Sequence, residues 1–331
     1  MKIRVLLITI AAISFSSSCY ATAYHKKKHH HRHHYRHHLT NSATTNKVAT
    51  VEDTNASKLD SFNLAAAELN NNTKDTYNLP SSKNQPRLYS YSALVLNADN
   101  RQILVNKNSN KKMPIASISK LMTAMVLLDS GADLNQYVEI SANDIDTLKN
   151  TYSRLRVGME LKRKDLLLLA LMSSENRAAY AIARTAYPGG INVFIQKMNA
   201  KAKSLGMINT QFYDPTGLTK SNQSTAADLA KMVQAAFNYP LIREDTTTKG
   251  ADVLLGDNWA HHYMNSDALV RTGKMDIALS KTGFINEAGH CLVLYSFINK
   301  KPIIMVFLNS SGKNGRIIDA MTVRNYITKT T

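Results

Sequence analysis

Cysteine is almost missing from this chain, with two in 331 residues, Cys19 and Cys291. Cys19 falls at the edge of a segment expected to be removed, and a lone Cys291 makes no intramolecular disulfide, so the fold must rest on a packed core. Cys291 sits in an apolar stretch and reads as a buried, inert thiol. Acidic residues are scarce too, 24 against 41 Lys and Arg, for a net charge of +17. That balance suits anionic surroundings such as nucleic acid, anionic lipid or a cell-wall polymer. Nucleic acid is set aside, because no basic segment carries the interleaved aromatics of a binding groove. Long apolar runs are also lacking. The longest, residues 5–15, is too short to span a bilayer comfortably, and later only the seven residues 166–172 come near it. No integral membrane segment is expected once the leader is cut.

The ends differ from the middle. Lys2 and Arg4 precede the apolar run, and small residues lead to Ala21-Thr22-Ala23. A charged start, a short apolar centre and an A-x-A-like site make residues 1–23 a signal peptide. A periplasmic protein is the expectation. The Ser16-Ser17-Ser18 before Cys19 lacks the aliphatic residue of a lipidation site, which argues against a lipoprotein. Residues 24–85 form a linker. Its first part, "YHKKKHHHRHHYRHH", holds eight of the eleven histidines and no acid. It cannot bury a core and should be disordered, as a solvated arm or as a metal- or wall-binding one. The rest is rich in Asn, Ser and Thr, with room for a short helix at 57–70.

Residues 86–331 read as one α+β domain. Apolar, β-prone residues 89–97, turn chemistry at Ala98-Asp99-Asn100 and the return at 102–106 predict a hairpin. A helix follows, with Pro114 near its start. Helical patterns cover 163–172, 177–186, 191–205 and 225–237, the last opened by Thr225 and Asp228 in capping-box spacing. Strands return at 278–285, 290–298 and 302–308, and a helix closes at 316–328. Strands at both ends imply a shared sheet, with the helical middle as a second lobe. No internal repeat is visible.

Three short motifs carry chemistry. Ser117-Ile118-Ser119-Lys120 is an S-x-x-K in which spacing i, i+3 puts the hydroxyl and the amine on one helix face. A hydroxyl is a poor nucleophile until a base takes its proton, and a lysine serves if desolvation lowers its pKa. Ser109 and Ser310 begin the same pattern, but in turns; a helix cap with a snorkelling lysine is the plain alternative. Ser174-Glu175-Asn176 is an S-x-N between two helical patterns, where a hydroxyl and an amide can point into a cleft; Ser174 can equally be a helix N-cap. Ser61, Ser82 and Ser141 begin the pattern elsewhere. Lys281-Thr282-Gly283 lies on a predicted strand, with a cation and a hydroxyl to hold a carboxylate and a glycine that permits close backbone approach. Arg271-Thr272-Gly273 is a decoy read as a turn.

In this order and these contexts the motifs form the set of penicillin-binding proteins and class A β-lactamases. The sequence resembles the low-molecular-mass penicillin-binding proteins, the serine D-alanyl-D-alanine peptidases, over about residues 86–328. "YSRLRVGMEL", "LALMSSENRAAYAIA", "DPTGL" and "SKTGFINEAGHCLV" are most similar to the D-alanyl-D-alanine endopeptidases. The resemblance implies a penicillin-binding-protein/β-lactamase-like transpeptidase fold, an antiparallel sheet with flanking helices plus a helical lobe. It implies a catalytic set of Ser117 as nucleophile, Lys120 as base and Ser174 as proton relay. Asn176, Lys281, Thr282, Gly283 and Phe284 would bind substrate, with the backbone N–H groups of Ser117 and Phe284 as oxyanion hole. No metal or cofactor is called for. The implied partners are peptidoglycan peptide stems, and β-lactam antibiotics as covalent inhibitors. The additional C-terminal β-domain and amphipathic anchor of larger carboxypeptidases are expected to be absent.

Rival readings remain. A class A β-lactamase needs a glutamate after the S-x-N to activate water, yet none occurs between Asn176 and Glu244, and Asp214 is a poor substitute because a turn follows it. A D-alanyl-D-alanine carboxypeptidase would use the same site. A non-catalytic wall- or metal-binding protein would place the function in the histidine-rich arm.

Overall fold

The computed structural model describes residues 85–255 and 259–330. The expected signal peptide, and the arm and linker up to residue 84, lie outside the described residues. Strands β1 (Ser90–Asn97) and β2 (Ile103–Lys107) form the predicted hairpin. A two-residue strand β3 (Met113–Pro114) and a 3-10 turn (Ala116–Ile118) lead into α1 (Ser119–Asp129). Pro114 therefore does not start the helix; it pairs with Gln223 of β6 (Gln223–Ser224). Between these come the small ribbon β4 (Tyr137–Glu139) and β5 (Glu160–Lys162). Helix α2 (Arg163–Leu168) runs into a π-helical turn (Leu169–Ser173), and α3 (Asn176–Thr185) and α4 (Gly190–Ser204) follow.

After β6 come α5 (Ala226–Phe237), α6 (Pro240–Thr247), the hairpin β7 (Gly250–Leu254) and β8 (Ala260–Met264), and the short α7 (Ala268–Thr272). The decoy Arg271-Thr272-Gly273 ends α7, with Gly273 as its left-handed cap. The chain closes with β9 (Asp276–Ile285), β10 (Gly289–Ile298), β11 (Lys301–Ser310) and α8 (Gly315–Thr330).

The main sheet has the order β2-β1-β11-β10-β9, antiparallel throughout. Successive strand residues face opposite sides, and here both sides are covered. Leu94, Val293, Tyr295, Val306 and Leu308 face the helical lobe. Their neighbours Ala93, Val95, Leu292, Leu294, Met305 and Phe307 face α8 through Ala320, Val323 and Ile327. Burial on both faces is why these strands read as nearly unbroken apolar runs. In the lobe, α1 is buried from Ser119 to Leu127. A helix enclosed all round fixes whatever its first turn carries.

Candidate active site

Three elements meet at Ser117. The first is the 3-10 turn itself. Ala116 takes a positive φ of 49°, uncommon for a residue with a side chain. Gly217 is the reason it can: a Cβ there would lie 1.9 Å from the Ala116 carbonyl oxygen. Ser119 Oγ donates to that same oxygen (2.9 Å) and accepts from Asn222 Nδ2 (3.0 Å). Asn222, fully buried, also donates to Asp214 O and accepts from the N–H groups of Tyr213 and Asp214. Ser119 is thus a brace for the turn that holds Ser117.

One helical turn later, Lys120 Nζ donates to Ser117 Oγ (2.8 Å), Asn176 Oδ1 (2.7 Å) and Thr216 O (2.8 Å). Burial lowers its pKa to about 7, against the opposing pull of the Asp214, Glu175 and Asp146 carboxylates. An amine tuned to that range can accept a proton from a neighbouring alcohol near neutral pH.

The second element is the S-x-N segment. Ser174 has φ 65° and closes the π turn in a left-handed conformation. It is not the N-cap of α3, a position that Glu175 takes. Asn176 Nδ2 donates to Thr151 Oγ1 (2.9 Å). Glu175 accepts a hydrogen bond from Ser153 Oγ, and burial pushes its carboxyl above the usual range.

The third element is β9. Lys281 Nζ donates to Ser174 Oγ (2.9 Å) and to Thr282 O (3.0 Å). Burial, and then the Lys120 charge, hold its pKa well below the ordinary lysine value. Thr282 Oγ1 and Ser266 Oγ are hydrogen-bonded at 2.7 Å, with either hydroxyl able to donate. Gly283 permits a close approach, as expected, but by the nucleophile turn: a Cβ would lie 3.0 Å from Ile115 O and 3.2 Å from Ser117 N. The Phe284 ring faces outward and stacks on His290.

Of the eight residues singled out in the sequence, hydrogen bonds join Ser117, Lys120 and Asn176, and Ser174 and Lys281; Gly283 lies against the Ser117 turn, Thr282 follows Lys281 on β9, and the Phe284 side chain points away from this centre. The sequence reading missed Thr151, Asp146, Thr216 and Asn222, which touch the site from distant segments. Asp214 was dismissed as a water-activating base. Its oxygens accept from the N–H groups of Thr216, Gly217 and Thr219 and from the Thr216 hydroxyl, so it fastens the turn beside Lys120. Chemically the arrangement is an alcohol with a buried amine as base, and a second hydroxyl–amine pair for a second proton transfer.

Comparison with known proteins agrees with this chemistry. The family profile described as D-alanyl-D-alanine carboxypeptidase, Peptidase S11, matches residues 80–312. A D-alanyl-D-alanine endopeptidase of Escherichia coli is 45% identical over 245 residues, 73% of this chain and 78% of that protein. One from Pseudomonas aeruginosa is 44% identical over 244 residues, with the same coverage of 73% and 78%. Among solved structures, the Streptomyces K15 DD-transpeptidase superposes with a TM-score of 0.68 at 27% identity, covering 73% of this chain and 98% of its own.

Proposed function

The chain belongs to the D-alanyl-D-alanine carboxypeptidase family, Peptidase S11, and from that premise we propose that Ser117, Lys120, Ser174 and Lys281 perform the acyl transfer. The protein is a serine-type D-alanyl-D-alanine peptidase. Within the family its activity is that of the endopeptidases, which cut peptide cross-links of peptidoglycan. The single observation that carries the assignment of roles is Lys120 Nζ, wholly buried, 2.8 Å from Ser117 Oγ.

Neutral Lys120 takes the Ser117 proton as Oγ adds to the carbonyl carbon of the D-alanine. The oxyanion forms against the N–H groups of Ser117 and Phe284; losing one such donor typically costs about 3 kcal/mol. Ser174 gives its proton to the departing amine and is resupplied by Lys281. Asn176 keeps a second Nδ2 hydrogen for the substrate amide, while Lys281 and Thr282 attract the carboxylate beside the scissile bond. Water then cleaves the ester and the serine proton returns. A β-lactam enters the same path but stays as the acyl-enzyme, because Asp214 is committed to its turn and no glutamate lies between Asn176 and Glu244. The features of an export signal in residues 1–23 support a periplasmic location, where such cross-links lie.

Fluorescent penicillin should label the wild-type chain covalently and leave Ser117→Ala unlabelled; equal labelling would remove Ser117 from its role. Digestion of purified cross-linked peptidoglycan separates the two activities of the family. Monomers released from dimers mark the endopeptidase, and free D-alanine released from pentapeptides marks the carboxypeptidase, which the same site also supports.

A further inference from the structure

Asn176 is an amide, and an amide has two faces. With its oxygen toward Lys120 it accepts from the amine; turned over, it would set N–H groups against the amine's own donors. Lys120 cannot enforce the choice by packing, because the two ends of the amide have nearly the same shape. As an ammonium it dictates the choice by donating, but a neutral amine does not; the loop between β4 and β5 enforces it whatever the charge on Lys120. Asp146 Oδ1 accepts from the N–H groups of Leu148 (2.8 Å) and Lys149 (2.9 Å). Its Oδ2 accepts from Thr151 N (2.9 Å) and from Thr151 Oγ1 (2.8 Å). Partial burial works to raise the Asp146 carboxyl, but these four hydrogen bonds outweigh it and hold its pKa below the usual value. Asp146 is therefore a carboxylate, which only accepts.

A threonine has one hydroxyl proton. Thr151 gives it to Asp146, so toward Asn176 it offers only a lone pair. The Asn176 end that meets it must be the NH2, at 2.9 Å, and the end that meets Lys120 must be the carbonyl, at 2.7 Å. Direction passes along the chain Asp146, Thr151, Asn176, Lys120 with no free choice at any link, and only the last bond, between Lys120 and Ser117, reverses when the amine is neutral.

We propose that Thr151, polarised by Asp146, is a positioning residue that sets which way the Asn176 amide faces and so presents an acceptor to the Lys120 amine. This rests on the reading of Ser117 and Lys120 as nucleophile and base. The carbonyl does two things for Lys120. It fixes the amine beside Ser117, and it favours the ammonium form. The other groups that face the amine are the carboxylates of Asp214, Glu175 and Asp146, and the Lys281 amine on β9. Replacing Thr151 leaves all of these in place, so a change in Lys120 titration reports the amide.

The test is the pH dependence of acylation by fluorescent penicillin in wild type, Thr151→Val, Thr151→Ser and Thr151→Ala. Valine keeps the volume and removes the lone pair. It should slow acylation about ten- to hundredfold, the scale of a charge-assisted hydrogen bond. It should also move the acid limb to lower pH by about one unit, because the ammonium has lost an acceptor. Serine keeps the hydroxyl and should restore both rate and limb. Thr151→Ala also removes the lone pair while leaving the Asp146 charge, which itself raises the Lys120 pKa, in place; it should move the limb the same way as valine, which keeps the test open if the valine chain does not fold. Melting temperatures of all four are measured alongside. A lowered melting temperature with an unmoved acid limb would make Thr151 merely structural and overturn the proposal, as would a serine variant that behaves like valine. A wild-type chain that penicillin fails to label would overturn the nucleophile reading as well; a labelled wild type with an indifferent valine variant overturns the positioning role alone.

Discussion

Lys120 donates to three acceptors at once, which is the geometry of an ammonium. To act as a base it must give up one of those protons, and burial brings its pKa down to about 7. The neutral fraction grows with pH, so penicillin acylation of the wild-type chain should rise through a midpoint near pH 7 and level off above it, as followed by single-turnover labelling. A midpoint near that of a free lysine would mean that burial does not tune Lys120 for this role. The same shift has a stability sign. Between the folded pKa of about 7 and the ordinary 10.5, the unfolded chain carries a proton that the folded chain does not. Stability from this group therefore grows with pH across that window and is lost as pH falls through about 7. Lys281, lowered by burial and by its neighbour's charge, contributes with the same sign.

At the level of elements, the sheet and α8 are fastened by one carboxylate. Asp319, fully buried, accepts from Tyr89 N (2.8 Å), Ser90 N (2.8 Å) and the Ser90 hydroxyl (2.5 Å). Asp319→Ala would leave those donors unpaired at the start of β1, at a cost of about 3 kcal/mol. At about 2–4 °C per kcal/mol for a domain of this size, the melting temperature should fall by roughly 6–12 °C while the penicillin label still reacts below it. Such a long-range contact does not show in sequence, whereas the elements it joins do. β10 and β11 stood out because both faces are apolar and a polar turn separates them. Helices α3, α4 and α5 stood out by period and by the Thr225 cap, whose Oγ1 accepts from Asp228 N. The short ribbon β4–β5 and the hairpin β7–β8 did not. The former has three residues per strand, and the latter mixes histidine and glycine into a weak alternation. Helix α6 was hidden by its Thr-rich second half. In the site, the motif residues were legible because each is local in sequence. Thr151, Thr216 and Asn222 act only through where the fold brings them, and the left-handed Ser174 is set by the π turn before it.

On the scale of the whole molecule, the positive charge is not confined to the histidine-rich arm. Residues 86–331 alone hold 30 Lys and Arg against 19 Asp and Glu. That balance predicts attraction to an anionic wall by the catalytic domain itself, screened by salt. Co-sedimentation with purified peptidoglycan should weaken between about 50 and about 300 mM salt, while acylation by soluble penicillin stays level, since Lys120 is buried and Ser117 partly so. Retention that ignores salt would place the attraction in specific contacts instead.

The pairing of β1 with β11, and the clasp of Ser90 by Asp319 across 229 positions, set an order of events in time. The first strand has no inner neighbour until nearly the last residues of the domain arrive, and the nucleophile turn has no β9 to rest on until Gly283 is in place. Contacts of such separation close late and slowly. A chain emerging from the ribosome amino end first would thus carry its serine early but hold it idle, and cutting ability would come only once the last strands of the sheet have arrived.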